Sequence, residues 1–123
     1  MKIAPFSTIL FGYKSVLKTE WLKGNMPSVK HDIGGNILTK ENITNGHMLP
    51  VSKGGKTNLK NLTLETLNYN QMKGNKPFSW FFDVKNFMRY CEEMSKVELP
   101  NFKGIEYVKG IIETAFELIK GKK

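Results

Sequence analysis

One histidine and two asparagines stand at spacings from which a phosphodiester-cutting site could be built. His47 is followed by Asn61 fourteen positions later and by Asn70 nine positions after that. Phosphodiester hydrolysis needs a base to deprotonate water, positive charge on the developing oxyanion and donors that hold the phosphate in line. A histidine, a divalent ion on oxygen ligands and neighbouring lysines can meet these needs. The lysines are Lys53, Lys56, Lys60, Lys73 and Lys76.

The spacing of these residues resembles the HNH endonuclease family. The ββα-metal motif of that family reads approximately D-H-[IV]-x-P-x-x-x-G-G-x-x-x-x-x-N-L, followed by a helix with a last Asn or His and then K-G-N. The matching residues are His47, Pro50, Gly54, Gly55, Asn61, Leu62, Asn70, Lys73, Gly74 and Asn75. Several independent positions agree in order and spacing, so the signal is more specific than a lone histidine or glycine pair. The resemblance covers about residues 36–77.

The resemblance implies a role for each motif residue. His47 is expected to be the general base that activates the attacking water. Asn61 is expected to tie down the loop and to help hold the histidine in its working orientation. Asn70 is expected to be a metal ligand offered from the short helix. The implied cofactor is a divalent ion, magnesium or manganese. No structural zinc is expected, because the paired CxxC knuckles of many relatives are absent.

The sequence departs from the family at the residue before the histidine. The family usually has an acidic metal ligand there, whereas this chain has Gly46, which has no side chain. Magnesium favours carboxylates, so this loss weakens metal binding or requires a replacement. The candidate replacements are Asp32, Glu41 and Glu65, or else water and phosphate oxygens. Asn45 is a poor candidate, because neighbouring residues of a strand point to opposite faces.

The motif requires a strand, a loop, a second strand and a short helix to position it. Residues 34–50 are rich in Ile, Thr, Asn and turn residues, which predicts one irregular strand or a short strand pair ending near residue 49. Residues 52–61 have the composition of a loop. The segment "LTLET" alternates in polarity and is predicted to pair with the strand that carries His47. Thr66 is predicted to cap a helix of about two turns that ends at Lys73, before Gly74.

Three amphipathic helices are predicted around this unit. The first covers residues 13–23, with Tyr13, Val16, Leu17 and Trp21 on one face. The other two follow the motif and are joined by a loop around Pro100. Their apolar positions, predicted as core, are Trp80, Val84, Phe87, Met88 and Cys91, then Ile105, Val108, Ile112, Ala115, Phe116 and Ile119.

The predicted fold class is α+β: a small ββα-metal (HNH) motif flanked by one N-terminal and two C-terminal amphipathic helices. We expect one domain, 1–123, with its core at about 36–77 and a helical C-terminal extension at about 78–120. His31, which has no counterpart in the family, is predicted to be a surface residue. Phe78 and Trp80, just after the motif, are assigned to core packing, with stacking on a base as the alternative.

Charge and cysteine content indicate the setting and the partner. The chain has 19 Lys+Arg against 11 Asp+Glu, a formal net charge of +8, which attracts polyanions. The lysines are scattered rather than gathered on one amphipathic helix, which favours nucleic acid over a membrane surface. A single cysteine, Cys91, excludes an intrachain disulfide and fits a reducing, cytoplasmic setting. No segment approaches the roughly 20 apolar residues of a membrane span.

The sequence therefore predicts a metal-dependent HNH-type DNA endonuclease with His47 as general base. Double-stranded DNA is the expected partner, contacted by the lysines at 53, 56, 60, 73 and 76. A homodimer would make double-strand cutting easier. The small stand-alone members of the family that this chain resembles imply a phage or bacterial intracellular context. The alternative is a non-catalytic DNA-binding module on a degenerate HNH scaffold that has lost its metal. A third reading, an RNA-binding or RNA-cutting protein of the same fold, is not separated from these by the sequence.

Overall fold

Two antiparallel strands and the helix that follows them form the central unit of the molecule. The structure is a computed structural model that describes residues 16–121. Within that range it has four helices and two small antiparallel sheets, which confirms the α+β class. In chain order the elements are α1 (residues 16–22), β1 (Ile43–His47), β2 (Leu62–Thr66), α2 (Leu67–Lys73), α3 (Val84–Ser95), β3 (Glu98–Leu99), β4 (Phe102–Lys103) and α4 (Gly104–Gly121).

The register of β1 and β2 decides which side chains share a face. Gly46 lies opposite Thr63, and Thr44 lies opposite Glu65. Because successive side chains of a strand alternate, these four positions lie on one face of the pair, whereas His47 projects to the other. The predicted pairing of "LTLET" with the strand that carries His47 is confirmed.

Side chains, rather than a third strand, satisfy the outer edge of β2. Three groups are bonded there: the Leu62 carbonyl accepts from Tyr107 Oη (2.7 Å), the Leu64 amide donates to Tyr90 Oη (2.9 Å) and the Thr66 amide donates to Asp32 Oδ2 (2.9 Å). An unpaired backbone group at this depth would cost about 1–3 kcal/mol, so these contacts stabilise a strand that is buried along its whole length. A two-stranded ribbon is marginal alone, and here the helices complete it.

The predicted cap and end of the two-turn helix are confirmed. Thr66 Oγ1 accepts a hydrogen bond from the Tyr69 amide at 3.3 Å, so the residue that ends β2 also begins α2. The helix ends at Gly74, which has a φ of 49° and donates its amide to the Asn70 carbonyl. Strand and helix therefore join without a linker, which fixes the direction in which α2 leaves the sheet.

The strand predicted within residues 34–50 is shorter than expected. Between residue 16 and β1 there is only an isolated bridge, which pairs His31 with Ile37. The loop at this point is organised by the fully buried Asp32, whose Oδ1 accepts from the Gly34 amide (2.9 Å) and the Asn36 amide (2.8 Å). A carboxylate that binds successive amides favours a turn over an extended strand.

His31 was predicted to be a surface residue, and the structure places it partly in the interior. Its ring is half-buried, and Nδ1 lies 2.8 Å from Glu93 Oε2 on α3. The same carboxylate accepts the backbone amides of Lys30 at 2.8 Å and of His31 at 3.1 Å. These contacts hold the loop before β1 against α3.

The core lies between the strand pair, α3 and α4. Phe87, Tyr90, Cys91 and Met94 of α3 are buried there, with Tyr107, Ile111, Ala115 and Leu118 of α4. Several residues predicted as core are exposed instead: Trp80, Val84, Met88, Ile105, Ile112, Phe116 and Ile119. The α4 residues among these are exposed because the helix carries a second apolar stripe, which includes Tyr107. This second stripe faces the core. Trp80 lies before α3, in a 3₁₀ turn.

The remaining expectations concern the N-terminal helix, the loop around Pro100 and Phe78. Leu17 of α1 is buried and Trp21 donates its indole N–H to the Val29 carbonyl at 2.7 Å, as expected for the inward face; Tyr13 lies outside the described residues. The predicted loop around Pro100 is the turn of the β3–β4 hairpin. Phe78 is buried, as expected. Across residues 16–121, no helix combines the length and apolarity needed to cross a bilayer.

The contact between Glu93 and the loop predicts a pH-dependent stability. Burial raises the pKa of this carboxyl, but hydrogen bonds from Lys30 and His31 outweigh it and hold the pKa below its usual value. Such a group stabilises the fold above its unfolded pKa of about 4.3, and the effect is lost as the pH falls through the folded value. Glu93→Gln should therefore be less stable than wild type at pH 7, with a gap that narrows from about pH 5 to pH 3.

Urea unfolding at a series of pH values measures this gap. The matched control is Glu92→Gln, an exposed neighbour on the same helix, which should unfold like wild type throughout. A gap between Glu93→Gln and wild type that stays constant with pH would show that the ionised carboxylate does not stabilise the loop.

Candidate active site

His47 is the last residue of β1, and a loop residue holds its ring. Nε2 lies 3.0 Å from the hydroxyl of Thr57, in the glycine-rich loop, and the side chain is half-buried. A hydroxyl can donate to or accept from an imidazole nitrogen, so it suits either neutral tautomer. Thr57 was not predicted as a site residue. Its contact with His47 depends on how the loop folds back onto β1. An irregular loop has no periodic spacing from which such a contact could be predicted.

Asn61 fastens the start of that loop to its end. Its Oδ1 accepts from the Leu49 amide at 2.8 Å, while Nδ2 donates to the carbonyls of Leu49 at 3.0 Å and Lys56 at 2.9 Å. The side chain is buried, so these bonds are protected from water. Asn61 thus makes the loop contacts that were expected of it. Thr57, and not Asn61, makes the hydrogen bond to His47 Nε2.

The two glycines let the loop close. Gly54 has a φ of 93°, which side chains rarely tolerate. A Cβ at Gly55 would overlap the carbonyl of Leu49, the same residue that Asn61 binds. The loop can therefore turn and approach the end of β1 only with glycine at these two positions.

The space beside Gly46 is filled by a carboxylate from the neighbouring strand. A Cβ built on Gly46 would overlap both carboxylate oxygens of Glu65. Glu65 lies diagonally across from Gly46, since Thr63 is the residue directly opposite. The position where the family usually has its acid thus contains an acidic group, but one supplied by β2.

The two oxygens of this carboxylate have different surroundings. Oε2 accepts from Lys73 Nζ at 2.6 Å and from Thr63 Oγ1 at 2.9 Å. Oε1 is buried and has no hydrogen-bond partner within residues 16–121. Burial raises the pKa of the Glu65 carboxyl above its usual value, although Lys73 and Thr63 act in the opposite direction. One oxygen is therefore anchored while the other is left without a donor.

The other two candidate acids are differently placed. Asp32 is fully buried, and its oxygens accept from the loop before β1 and from both the amide and the hydroxyl of Thr66. That pattern is structural, because the carboxylate replaces missing backbone partners. Glu41 is exposed on the turn before β1. Of the three acids, Glu65 alone lies against Gly46.

Two residues of α2 connect the helix to β1. Asn70 Nδ2 donates to Thr44 Oγ1 at 3.0 Å and to the Asn45 carbonyl at 3.4 Å. Lys73, three residues later and on the same side of the helix, donates to the His47 carbonyl at 2.7 Å. The helix thus contributes an amide and an ammonium to the face of the sheet that carries Glu65.

The lysines expected to contact phosphates differ in exposure. Lys53, Lys56, Lys60 and Lys76 are exposed, and Lys60 pairs with Glu113 at 2.8 Å. Lys73, which was expected to contact DNA together with them, is only 2% exposed. Its ammonium instead binds Glu65 and the carbonyl of His47 inside the site. Trp80, expected in the core, is 69% exposed shortly after α2, which leaves its ring accessible to a base.

The arrangement combines a potential base, His47 at the end of β1, with carboxylate and amide groups on the face of the strand pair that carries Glu65. No group of three His, Cys, Asp or Glu side chains in the described part of the chain could hold a metal by itself. Any ion at this site would therefore depend on Glu65, an amide oxygen, water and phosphate oxygens. Comparison of the chain with protein-family models, with curated proteins and with solved structures finds no match in any of the three.

The buried pair of Lys73 and Glu65 predicts a large effect of one substitution. Lys73→Met removes the ammonium and leaves an ionised carboxylate buried without its cation, which should cost about 3–5 kcal/mol of unfolding free energy at neutral pH. The loss should shrink as the pH is lowered, because Glu65 can then take up a proton. Adding Glu65→Gln to Lys73→Met should recover much of the loss.

Urea or thermal unfolding at pH 5 and pH 8 tests this coupling. The control is Lys76→Met, an exposed lysine just beyond the helix, which should change stability by no more than about 0.5 kcal/mol. If Lys73→Met were no less stable than Lys76→Met, the pair would not hold α2 against the strands.

Proposed function

We propose that the protein is a metal-dependent endonuclease of the HNH type that hydrolyses phosphodiester bonds in double-stranded DNA. The observation that carries this proposal is that a loop and a helix both converge on β1. The strand ends in His47, the loop clamped by Asn61 reaches its ring through Thr57, and α2 brings Asn70 against the same strand. These are the parts that the motif requires, in the order in which the motif requires them.

His47 acts as the general base in this mechanism. The imidazole takes a proton from the attacking water, a role that suits a group whose unperturbed pKa lies near neutrality. Thr57 holds Nε2 and thereby orients the ring, and Asn61 keeps Thr57 in place by closing the loop. The half-buried ring remains reachable from solvent, as a base that acts on water must be.

A divalent ion, magnesium or manganese, would supply the positive charge that stabilises the developing phosphorane oxygens and the leaving oxygen. Asn70 would hold it in part from α2, together with a carboxylate and water. The fit of the donor set is supported by a buried carboxylate oxygen of Glu65 that lacks a hydrogen-bond partner. Carboxylate and amide oxygens are the ligands that these hard ions prefer.

The exposed lysines provide the contact with DNA. Lys53, Lys56 and Lys60 lie on or near the loop that holds His47, and Lys76 lies just after α2. Such contacts neutralise phosphates and position the duplex without reading its sequence. With one base per chain, cutting both strands in one encounter would require a second copy of the protein.

A second candidate function is supported by a separate observation. The ammonium of Lys73 already neutralises Glu65, with 2.6 Å between Nζ and Oε2. An internal cation of this kind can maintain the scaffold without a metal. The protein would then be a non-catalytic DNA-binding module, with affinity that falls with salt and does not respond to chelators.

Nicking of supercoiled plasmid distinguishes these functions. Wild type with magnesium or manganese should nick, and chelation should stop it. His47→Ala should cut at least about 100-fold more slowly, because a positioned general base contributes about 10²–10⁴-fold. His31→Ala is the matched control: it removes the other histidine of the chain, and it should retain cleavage at a temperature at which it is folded.

Three results would contradict the nuclease proposal. One is wild type that leaves both plasmid and structured RNA intact with either ion; another is His47→Ala that cuts as fast as wild type. The third is a chelator-insensitive shift of DNA mobility without any cleavage, which would favour the binding module. Cleavage of RNA alone would keep the mechanism and change the substrate.

A further inference from the structure

We propose that Glu65 supplies, through Oε1, the carboxylate ligand of the divalent ion, so that the acid has moved from the first strand of the motif to the second. This inference rests on the proposed function and names a ligand that the motif does not contain. It is carried by the mutual fit of Gly46 and Glu65, by the unequal environments of the two carboxylate oxygens and by the position of Asn70.

Position 46 requires glycine because of the packing around it and not because of its backbone conformation. Its φ is not positive, so the strand conformation at this point would accept a side chain. The space is what forbids one, since a Cβ would overlap both oxygens of Glu65. Glycine in a strand interior often marks the close approach of another group, and here that group is an acid.

The carboxylate is oriented as a ligand would be. Lys73 and Thr63 both bind Oε2, which fixes the plane of the group and leaves Oε1 as the oxygen without a donor. A buried, charged acceptor without a partner is costly, and a cation would remove that cost. Lys73 and Thr63 are positioning residues in this arrangement, because they act on the ion only through Glu65.

A second oxygen donor lies on the same face of the strands. Asn70 is fastened through its Nδ2 to Thr44, the residue opposite Glu65 in the register. An amide that donates through nitrogen leaves its oxygen available to an ion. Glu65 and Lys73 together carry no net charge, so the protein offers few ligands and the ion should bind more tightly when phosphate completes its shell.

Exchange of the acid between positions 46 and 65 tests the proposal. Binding of Mn²⁺ to the full chain without DNA is followed by electron paramagnetic resonance, and folding by circular dichroism. Wild type should bind one ion. Glu65→Gln, which keeps the shape of the side chain, should bind at least tenfold more weakly, whereas Glu41→Gln, an exposed acid near the site, should bind like wild type.

The exchange itself uses Gly46→Asp with and without Glu65→Ala. Gly46→Asp alone should be strongly destabilised, because its side chain meets the Glu65 carboxylate. The double variant Gly46→Asp/Glu65→Ala removes that overlap and returns the acid to the first strand. It should fold better than Gly46→Asp and bind Mn²⁺ within a few-fold of wild type.

The outcomes separate this inference from the proposed function. Wild type that binds no Mn²⁺, or a folded Glu65→Gln that binds as tightly as wild type, would overturn it. If Glu65→Gln does not fold, the double variant decides: a folded double variant without Mn²⁺ affinity overturns the inference. If Glu65 proves necessary for Mn²⁺ binding but no nucleic acid is cut, the assignment of Glu65 as a ligand is supported and the proposed nuclease function is contradicted. If Glu65→Gln cuts DNA with undiminished metal dependence, the proposed nuclease function is supported and the assignment of Glu65 as a ligand is contradicted.

Discussion

The buried ion pair between Lys73 and Glu65 is the interaction on which the rest of the candidate site depends. Both side chains are buried, and the ammonium also binds the carbonyl of His47. One cation therefore joins α2, β2 and the end of β1. Because a charge at this depth cannot be left unpaired without a large cost, the three elements hold their positions relative to one another. The backbone beneath His47 is fixed as a result.

Around this pair, side chains replace backbone partners in several places. Tyr90 and Tyr107 cover the outer edge of β2, and Asp32 covers its end. Asn61 does the same for the loop. A two-stranded ribbon with a long loop has few backbone hydrogen bonds of its own, so it relies on polar groups sent in from the helices and from neighbouring turns. The loop of the site is consequently held by side-chain contacts although it contains little regular secondary structure.

The sequence predicted those parts of the fold that have local signals. The alternation of "LTLET", the cap at Thr66 and the glycine at 74 are chemical preferences of single residues or short runs, and the structure confirms them. The inward stripe of α4 was missed because both faces of that helix carry apolar residues, and the burial of Lys73 was missed because charge alone predicts exposure. Glu65 was one of three possible acids. Identifying it as the acid that lies against Gly46 required the register of the strands, which a sequence does not contain.

Gly46 and Glu65 also constrain how this chain can change over generations. A side chain at 46 is incompatible with the present position of the Glu65 carboxylate, because a Cβ there would overlap that group. A stepwise change that adds an acid at 46 must therefore either displace the Glu65 side chain from its ion pair with Lys73 or first replace it. Both routes disturb the buried contact that joins α2 to the strands. Each position thus determines which substitutions are tolerated at the other.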